Sequence, residues 1–254
     1  MALLHVNLYS DVLGRSVHMD AIMPERSGSS HWKTLYLLHG MTDDNSTWTR
    51  QTSIERCAQD RNLAVILPDG DLKWYADTPW GENYFEFVSR ELVEHSRRMF
   101  PRLSRDRADT FVAGNSMGGY GALKCALRRP ETFSKAASLS GALDAAALPF
   151  LPEPLADRAY WEDVFGPIDG IAGSDNDLFA AAKHCAENRP ELWLWCGTED
   201  FLYDMHLRMR DQLAALGYSM EASEGPGDHQ WKHWDRQLLR MLDWLLGGEA
   251  DACR

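Results

Sequence analysis

Basic residues are scarce in this 254-residue chain: 26 lysines and arginines face 38 aspartates and glutamates, a formal charge of −12. No basic stripe interrupts that excess, which argues against nucleic-acid and anionic-membrane partners. Long apolar runs are also missing, and none approaches the ~20 residues that a membrane helix needs. Residues 1–9 have neither a basic start nor an apolar stretch of signal-peptide length, so the expectation is a soluble, cytoplasmic protein. The five cysteines (Cys57, Cys125, Cys185, Cys196 and Cys253) are odd in number and scattered, with no C-x-x-C pair. That excludes a disulfide framework and a cysteine-based zinc site. Cys57 and Cys125 fall on predicted helix faces and read as small core residues. No Pro/Gly/Ser-rich linker, repeat or low-complexity tract divides the chain, so one α/β domain over residues 1–254 is expected.

What the chain does have is the stretch T-F-V-A-G-N-S-M-G-G-Y-G-A-L-K-C-A-L at residues 110–127. A β-prone run leads directly into helix formers, so Ser116 sits where a buried strand turns sharply into a helix. That is the context in which G-x-S-x-G presents an exposed nucleophile. Gly114 and Gly118 suit a turn in which the backbone approaches itself closely. The amide of Met117 opens the following helix, where unpaired N–H groups and the helix dipole can face a developing oxyanion.

Around this centre strands and helices alternate, which implies a mostly parallel sheet covered on both faces. Residues 3–9 and 16–23 read as an antiparallel edge hairpin. Further strands are expected at 34–38, 63–67, 110–113, 133–139, 191–196 and 218–223. Helices are expected at 53–61, introduced by a Thr52/Glu55 capping box, and at 83–100, 203–216 and 232–246. The apolar face of the 83–100 helix is Tyr84, Phe87, Val88, Leu92, His95 and Met99. Residues 141–190 are the least regular part and read as a cap-like insertion over the strand ends.

A serine hydroxyl needs a base with a pKa near neutrality, and histidine is the suitable side chain. His229 follows the last strand in a Gly/Pro-rich loop on the same sheet edge as Ser116. His39 lies near that edge but precedes the loop 40–44, which it would orient; His5, His18 and His95 lie elsewhere. The acid partner is Asp200, just past the strand L-W-L-W-C, with Glu199 and Asp204 as local rivals. The order Ser, acid, His is that of α/β-hydrolases, in which the loop after the early central strand gives a second oxyanion amide, here Met41. His229 and His233 are spaced i, i+4 beside Asp228, but no H-E-x-x-H accompanies them, so neither a metal nor a cofactor is expected.

The segments L-H-G-M-T-D-D (38–44), G-N-S-M-G-G-Y-G-A-L-K (114–124), C-G-T-E-D-F-L-Y (196–203) and G-D-H-Q-W-K-H-W-D (227–235) together resemble the esterase D-type esterase family of the α/β-hydrolase superfamily. Similarity is greatest to its tributyrin esterase and feruloyl (cinnamoyl) esterase branch. The resemblance covers nearly the whole chain. It implies a carboxylesterase of α/β-hydrolase fold with Ser116, Asp200 and His229 as triad, and the Met41 and Met117 amides as oxyanion hole. S-formylglutathione hydrolases are relatives that usually have histidine before the nucleophile and a threonine/cysteine-containing oxyanion loop; Asn115 and Met41-Thr42-Asp43 depart from that. Mycolyltransferases of the superfamily lack the G-G-Y-G continuation.

The expected activity is hydrolysis of small acyl or aryl esters through an acyl-serine. The alternatives are an S-formylglutathione hydrolase-like thioesterase, an acyltransferase that excludes water, and a non-catalytic binding protein on the same scaffold. Trp48, Trp74, Trp80, Trp161 and Trp231 fall in predicted loops near the site. Trp231, Trp48 and Trp80 are the expected substrate contacts, with Trp231 foremost. An exposed apolar patch could support a homo-oligomer, but the sequence does not locate one.

Overall fold

Eight strands assemble into one sheet in the computed structural model, which describes residues 1–25, 29–59 and 61–248. In chain order they are β1 (Ala2–Ser10), β2 (Arg15–Met23), β3 (Lys33–Leu38), β4 (Leu63–Pro68), β5 (Thr110–Asn115), β6 (Lys135–Leu139), β7 (Glu191–Gly197) and β8 (Met220–Gly225). In space the order is β1-β2-β4-β3-β5-β6-β7-β8. β1 and β2 form an antiparallel hairpin and β2 runs antiparallel to β4. All remaining pairs are parallel.

Successive side chains on a strand point to opposite faces, and the central strands β3, β4 and β5 are buried at nearly every position, so each feeds two cores. Leu35, Leu37, Val65, Leu67, Phe111 and Ala113 enter one core. That core is covered by α1 (Thr47–Gln51), α2 (Ile54–Gln59) and α9 (Trp231–Leu245), the last through Trp234, Leu238, Met241, Leu242 and Leu245. Burying each of these large side chains contributes about 1.5–3 kcal/mol. Tyr36, Leu38, Ala64, Ile66 and Val112 point the other way. They meet α3 (Tyr84–Glu86), α4 (Leu92–Met99), α5 (Met117–Arg128), α6 (Arg158–Phe165), α7 (Leu178–His184) and α8 (Tyr203–Ala215).

The expected helix at 83–100 forms, but Phe87–Glu91 between α3 and α4 is π-helical. One extra residue in the turn rotates the face that follows. Val93 and Ser96 therefore turn inward, while Met99, placed on the apolar face by a uniform 3.6-residue period, is 40% exposed. The π-helical turn also buries Glu91, which accepts the amides of Asp11 and Val12 (2.8 and 3.1 Å) and the Ser10 hydroxyl. It thereby fastens the edge hairpin to the body.

Other boundaries move for local reasons. The capping box does not form: the Thr52 hydroxyl accepts the Ile54 amide (3.2 Å) and donates to the Trp48 carbonyl (2.6 Å), closing the unforeseen α1. β8 starts two residues later than expected because Tyr218 donates its amide to Leu213 and still belongs to the end of α8. Residues 141–190 contain α6 and α7, whose Trp161, Val164, Leu178 and Ala182 join the same core as α5. The four cysteines among the described residues are free and buried; Cys253 lies outside the described residues.

Candidate active site

The turn between β5 and α5 is as tight as its glycines suggest. A Cβ on Gly114 would stand 2.4 Å from the Gly118 carbonyl carbon, and one on Gly118 would stand 2.3 Å from the Leu38 oxygen. No carbon fits at such distances, so the end of β3, the elbow and the start of α5 touch backbone to backbone. Ser116 is held at φ +53°, ψ −119°, a conformation that costs a non-glycine residue about 1–3 kcal/mol. Its amide donates to Leu139 (3.0 Å), and its carbonyl accepts the amides of Tyr120 (3.1 Å) and Ala142 (3.2 Å). The strain is thus over-determined by β6 and α5.

β7 and β8 pair in parallel through Gly197 and Gly225, so the loops that follow leave the sheet side by side. A Cβ on Gly197 would overlap the Gly227 carbonyl at 2.0 Å. Thr198 and Glu199 donate their amides to Gly225 (2.9 Å) and Gly227 (3.1 Å), and the Glu199 carboxylate accepts the Gly227 amide in return. Glu199, a rival acid in the sequence, is therefore a loop tie. Asp204, the other rival, lies in the first turn of α8.

This zipper brings His229 Nδ1 to 2.8 Å from Asp200 Oδ2. The Asp200 side chain is wholly shielded from solvent, and its other oxygen accepts the Leu202 amide (2.9 Å). A buried carboxylate with both oxygens engaged holds the imidazole in one orientation. The ring is flanked by Trp234 (centroids 4.9 Å apart, edge-on) and Phe201 (4.7 Å, tilted). Phe201 and Trp234 were not foreseen as site residues, although one directly follows Asp200 and the other lies on the buried face of α9.

His39 lies under the loop after β3. Its Nε2 accepts the Gly70 amide (2.8 Å), so Nδ1 carries the proton and donates to the Gly40 carbonyl (2.8 Å). The buried Tyr75 hydroxyl donates to the His39 carbonyl (2.9 Å). Holding the Gly40 carbonyl on one side of a planar trans peptide turns the Met41 N–H to the other. Neither the Met41 nor the Met117 amide donates to another group among the described residues.

Ser116 and His229 line one cleft of about 340 Å³, together with Gly40, Met41, Thr42, Asp43, Asn115, Gln230, Trp231, Lys232 and Trp234. Burial raises the Asp43 carboxyl above its ordinary pKa. Trp231 lies in this wall, packed edge-on against Trp48 (4.9 Å) and Trp234 (5.1 Å). The other two expected contacts do not line it. Trp48 is buried and donates its indole N–H to the Leu38 carbonyl (2.9 Å), so it supports Trp231 from beneath. Trp80 is 75% exposed, outside the cleft wall. Trp74 and Trp161 pack with Tyr120 and Phe165 in the core. The two histidines weighed as metal ligands turn to separate carboxylates, His229 to Asp200 and His233 to Asp228 (2.9 Å).

This arrangement, a strained serine and a carboxylate-held imidazole on one cleft with two free amides at the elbow and the loop after β3, is suited to acyl transfer. The Esterase family model, described as "Putative esterase", matches residues 10–245. An acetyl esterase of Caldicellulosiruptor saccharolyticus is 31% identical over 262 residues, covering 96% of this chain and 98% of that protein. Among solved structures, the substrate-bound fluorophosphonate-binding serine hydrolase F of Staphylococcus aureus superposes with a TM-score of 0.88 at 34% identity, over 96% of this chain and 98% of that one. An S-formylglutathione hydrolase from Staphylococcus aureus, as apoenzyme, gives a TM-score of 0.86 at 34% identity with the same coverage. The chain thus has the α/β-hydrolase fold, is a serine hydrolase of the carboxylic ester class, and belongs to the Esterase family.

Proposed function

We propose that the protein hydrolyses small acyl or aryl carboxylic esters through an acyl-enzyme on Ser116. The observation that carries this reading is the 2.8 Å contact between His229 Nδ1 and the fully buried Asp200 carboxylate, on the cleft that holds the strained Ser116. His229 takes the Ser116 proton through Nε2 as the oxygen attacks the ester carbonyl. The Met41 and Met117 amides receive the charge that develops on the carbonyl oxygen; removing one such donor typically slows the step ~100-fold or more. His229 then protonates the departing alcohol, and water hydrolyses the acyl-serine with His229 again as base. The cleft volume and the Trp231 wall favour a short acyl or a planar aryl group.

A second reading is a thioesterase acting on a small acyl thioester. It is favoured by the 34% identity to the Staphylococcus aureus S-formylglutathione hydrolase. Both use the same acyl-serine and differ in the leaving group. The experiment is hydrolysis of p-nitrophenyl esters from acetate to octanoate, methyl ferulate and S-formylglutathione by the native enzyme and by Ser116→Ala. Oxygen esters turned over faster than the thioester, with all activity lost in the variant, fit the first reading. A thioester preferred by orders of magnitude fits the second, and activity retained in Ser116→Ala removes both.

A further inference from the structure

Ser140 directly follows β6, fully buried, with its backbone at φ +47°. Glycine would adopt that conformation without strain, so what a serine adds there is its hydroxyl. The Ser140 Oγ accepts the indole N–H of Trp234 from the first turn of α9 (3.1 Å), and the Ser140 amide donates to the Trp195 carbonyl of β7 (2.7 Å). The residues beside it hold the nucleophile: the Leu139 carbonyl accepts the Ser116 amide, and the Ala142 amide donates to the Ser116 carbonyl. The end of β6 therefore grips Ser116 through backbone and Trp234 through one hydroxyl.

Trp234 in turn packs edge-on against the His229 imidazole, with centroids 4.9 Å apart. Asp200 sets where Nδ1 points, and the rings that touch the imidazole resist its swing about that hydrogen bond. Phe201, 48% exposed, is the softer of the two supports; Trp234, buried and tied at its N–H, is the firmer. We propose that Ser140 is a positioning residue for His229: through the indole of Trp234 it keeps the imidazole in line with Ser116, so that one short segment after β6 sets both the nucleophile and its base. The inference rests on the reading of His229 as the base of an ester hydrolase, and it adds to that reading a buried residue that meets no substrate.

The test measures kcat and KM on p-nitrophenyl acetate for the native enzyme, Ser140→Ala, Trp234→Phe and the double variant, with a thermal melt of each and His229→Ala as control. Ser140→Ala removes only the acceptor, and kcat is expected to fall about tenfold with KM within about twofold, because a displaced base fails in the chemical step rather than in binding. Trp234→Phe keeps a ring but removes the N–H, so adding Ser140→Ala to it should lower kcat little further; residues that act through one shared bond are non-additive. An unchanged kcat in Ser140→Ala, even with a lower Tm, overturns the proposal and leaves the bond as packing alone. Losses that multiply in the double variant overturn it as well. Should Ser140→Ala fail to fold, Ser140→Gly, which suits the positive φ, takes its place; should Trp234→Phe fail, kcat of the Ser140 variant decides. Activity retained in His229→Ala, or no hydrolysis of the ester by folded native protein, is a different failure, which removes the reading of the base and this inference with it.

Discussion

His39 donates from Nδ1 to the carbonyl of its neighbour Gly40 at 2.8 Å, and the Gly70 amide at Nε2 fixes that tautomer. A side chain that touches no substrate thus sets the peptide plane from which the Met41 amide points. Replacing it with Phe is expected to lower kcat roughly 10–100-fold with little change in KM, because a misaimed donor fails at the transition state rather than in ground-state binding. Steady-state kinetics on a short p-nitrophenyl ester, with a thermal melt to establish folding, checks this. A fall in KM-controlled binding alone would contradict it.

Asp200→Asn retains the shape of the acid but not its charge, and the amide can present an N–H to Nδ1, which favours the wrong imidazole tautomer. A loss of about 10⁴ in kcat is expected with the fold intact. Ser116→Ala should lose at least as much. Circular dichroism beside the kinetics separates a chemical defect from an unfolded one.

Gly118→Ala would drive a methyl carbon to 2.3 Å from the Leu38 oxygen, and backbone cannot swing aside as a flexible side chain does. Overpacking of this kind costs about 1–3 kcal/mol or more. Gly170→Ala meets nothing within 4 Å and is expected to be near neutral. Melting temperatures of the pair should differ clearly; equal values would mean that the elbow is looser than described.

Lys124 on α5 is buried, donating to Asn176 Oδ1 (2.6 Å) with the Tyr120 and Phe85 rings beside it. Burial pushes its pKa down to about 7 from an ordinary 10.5. Between those values the unfolded chain holds a proton that the folded one has lost, so this group makes stability rise with pH across that window, on the order of 1.4 kcal/mol per unit. Below about 7 both states are protonated and the full penalty of a buried ammonium applies. Lys124→Met should therefore stabilise most at pH 7 and below, its advantage shrinking toward pH 10. Denaturant unfolding of both proteins at a series of pH values reads this directly.

Trp231→Ala is expected to raise KM for aryl esters several-fold, since Trp231 forms a wall of the cleft, whereas Trp80→Ala should leave kinetics unchanged. Unaltered constants for Trp231→Ala on every ester would remove its assignment as a substrate contact.

The strand-to-helix elbow and the order of Ser116, Asp200 and His229 were legible because each rests on local chemistry: glycines where no Cβ fits, and loops following apolar strands. The antiparallel edge hairpin was legible for the same reason, a polar turn between two β-prone runs. The tryptophans were not. Trp48, Trp80 and Trp231 look alike in sequence, and only the tertiary packing makes one a buried brace, one an exposed ring and one a cleft wall. The π-helical turn at Phe87–Glu91 escaped a uniform helical period, since its purpose, seating Glu91 under the β1–β2 turn, is a contact 80 residues away in the chain.

The backbone contact between Gly118 and Leu38 separates two histories within one molecule. It ties the end of β3 to the start of α5, the elements from which the Met41 and Met117 amides emerge, and it involves no side chain that variation could exchange. Asp43 and Gln230 on loops, and Trp231 and Lys232 at the start of α9, lie outside that contact. Selection can redecorate the wall while the reactive frame is inherited whole, so proteins sharing only a third of their residues with this chain can keep its architecture under different substrate names.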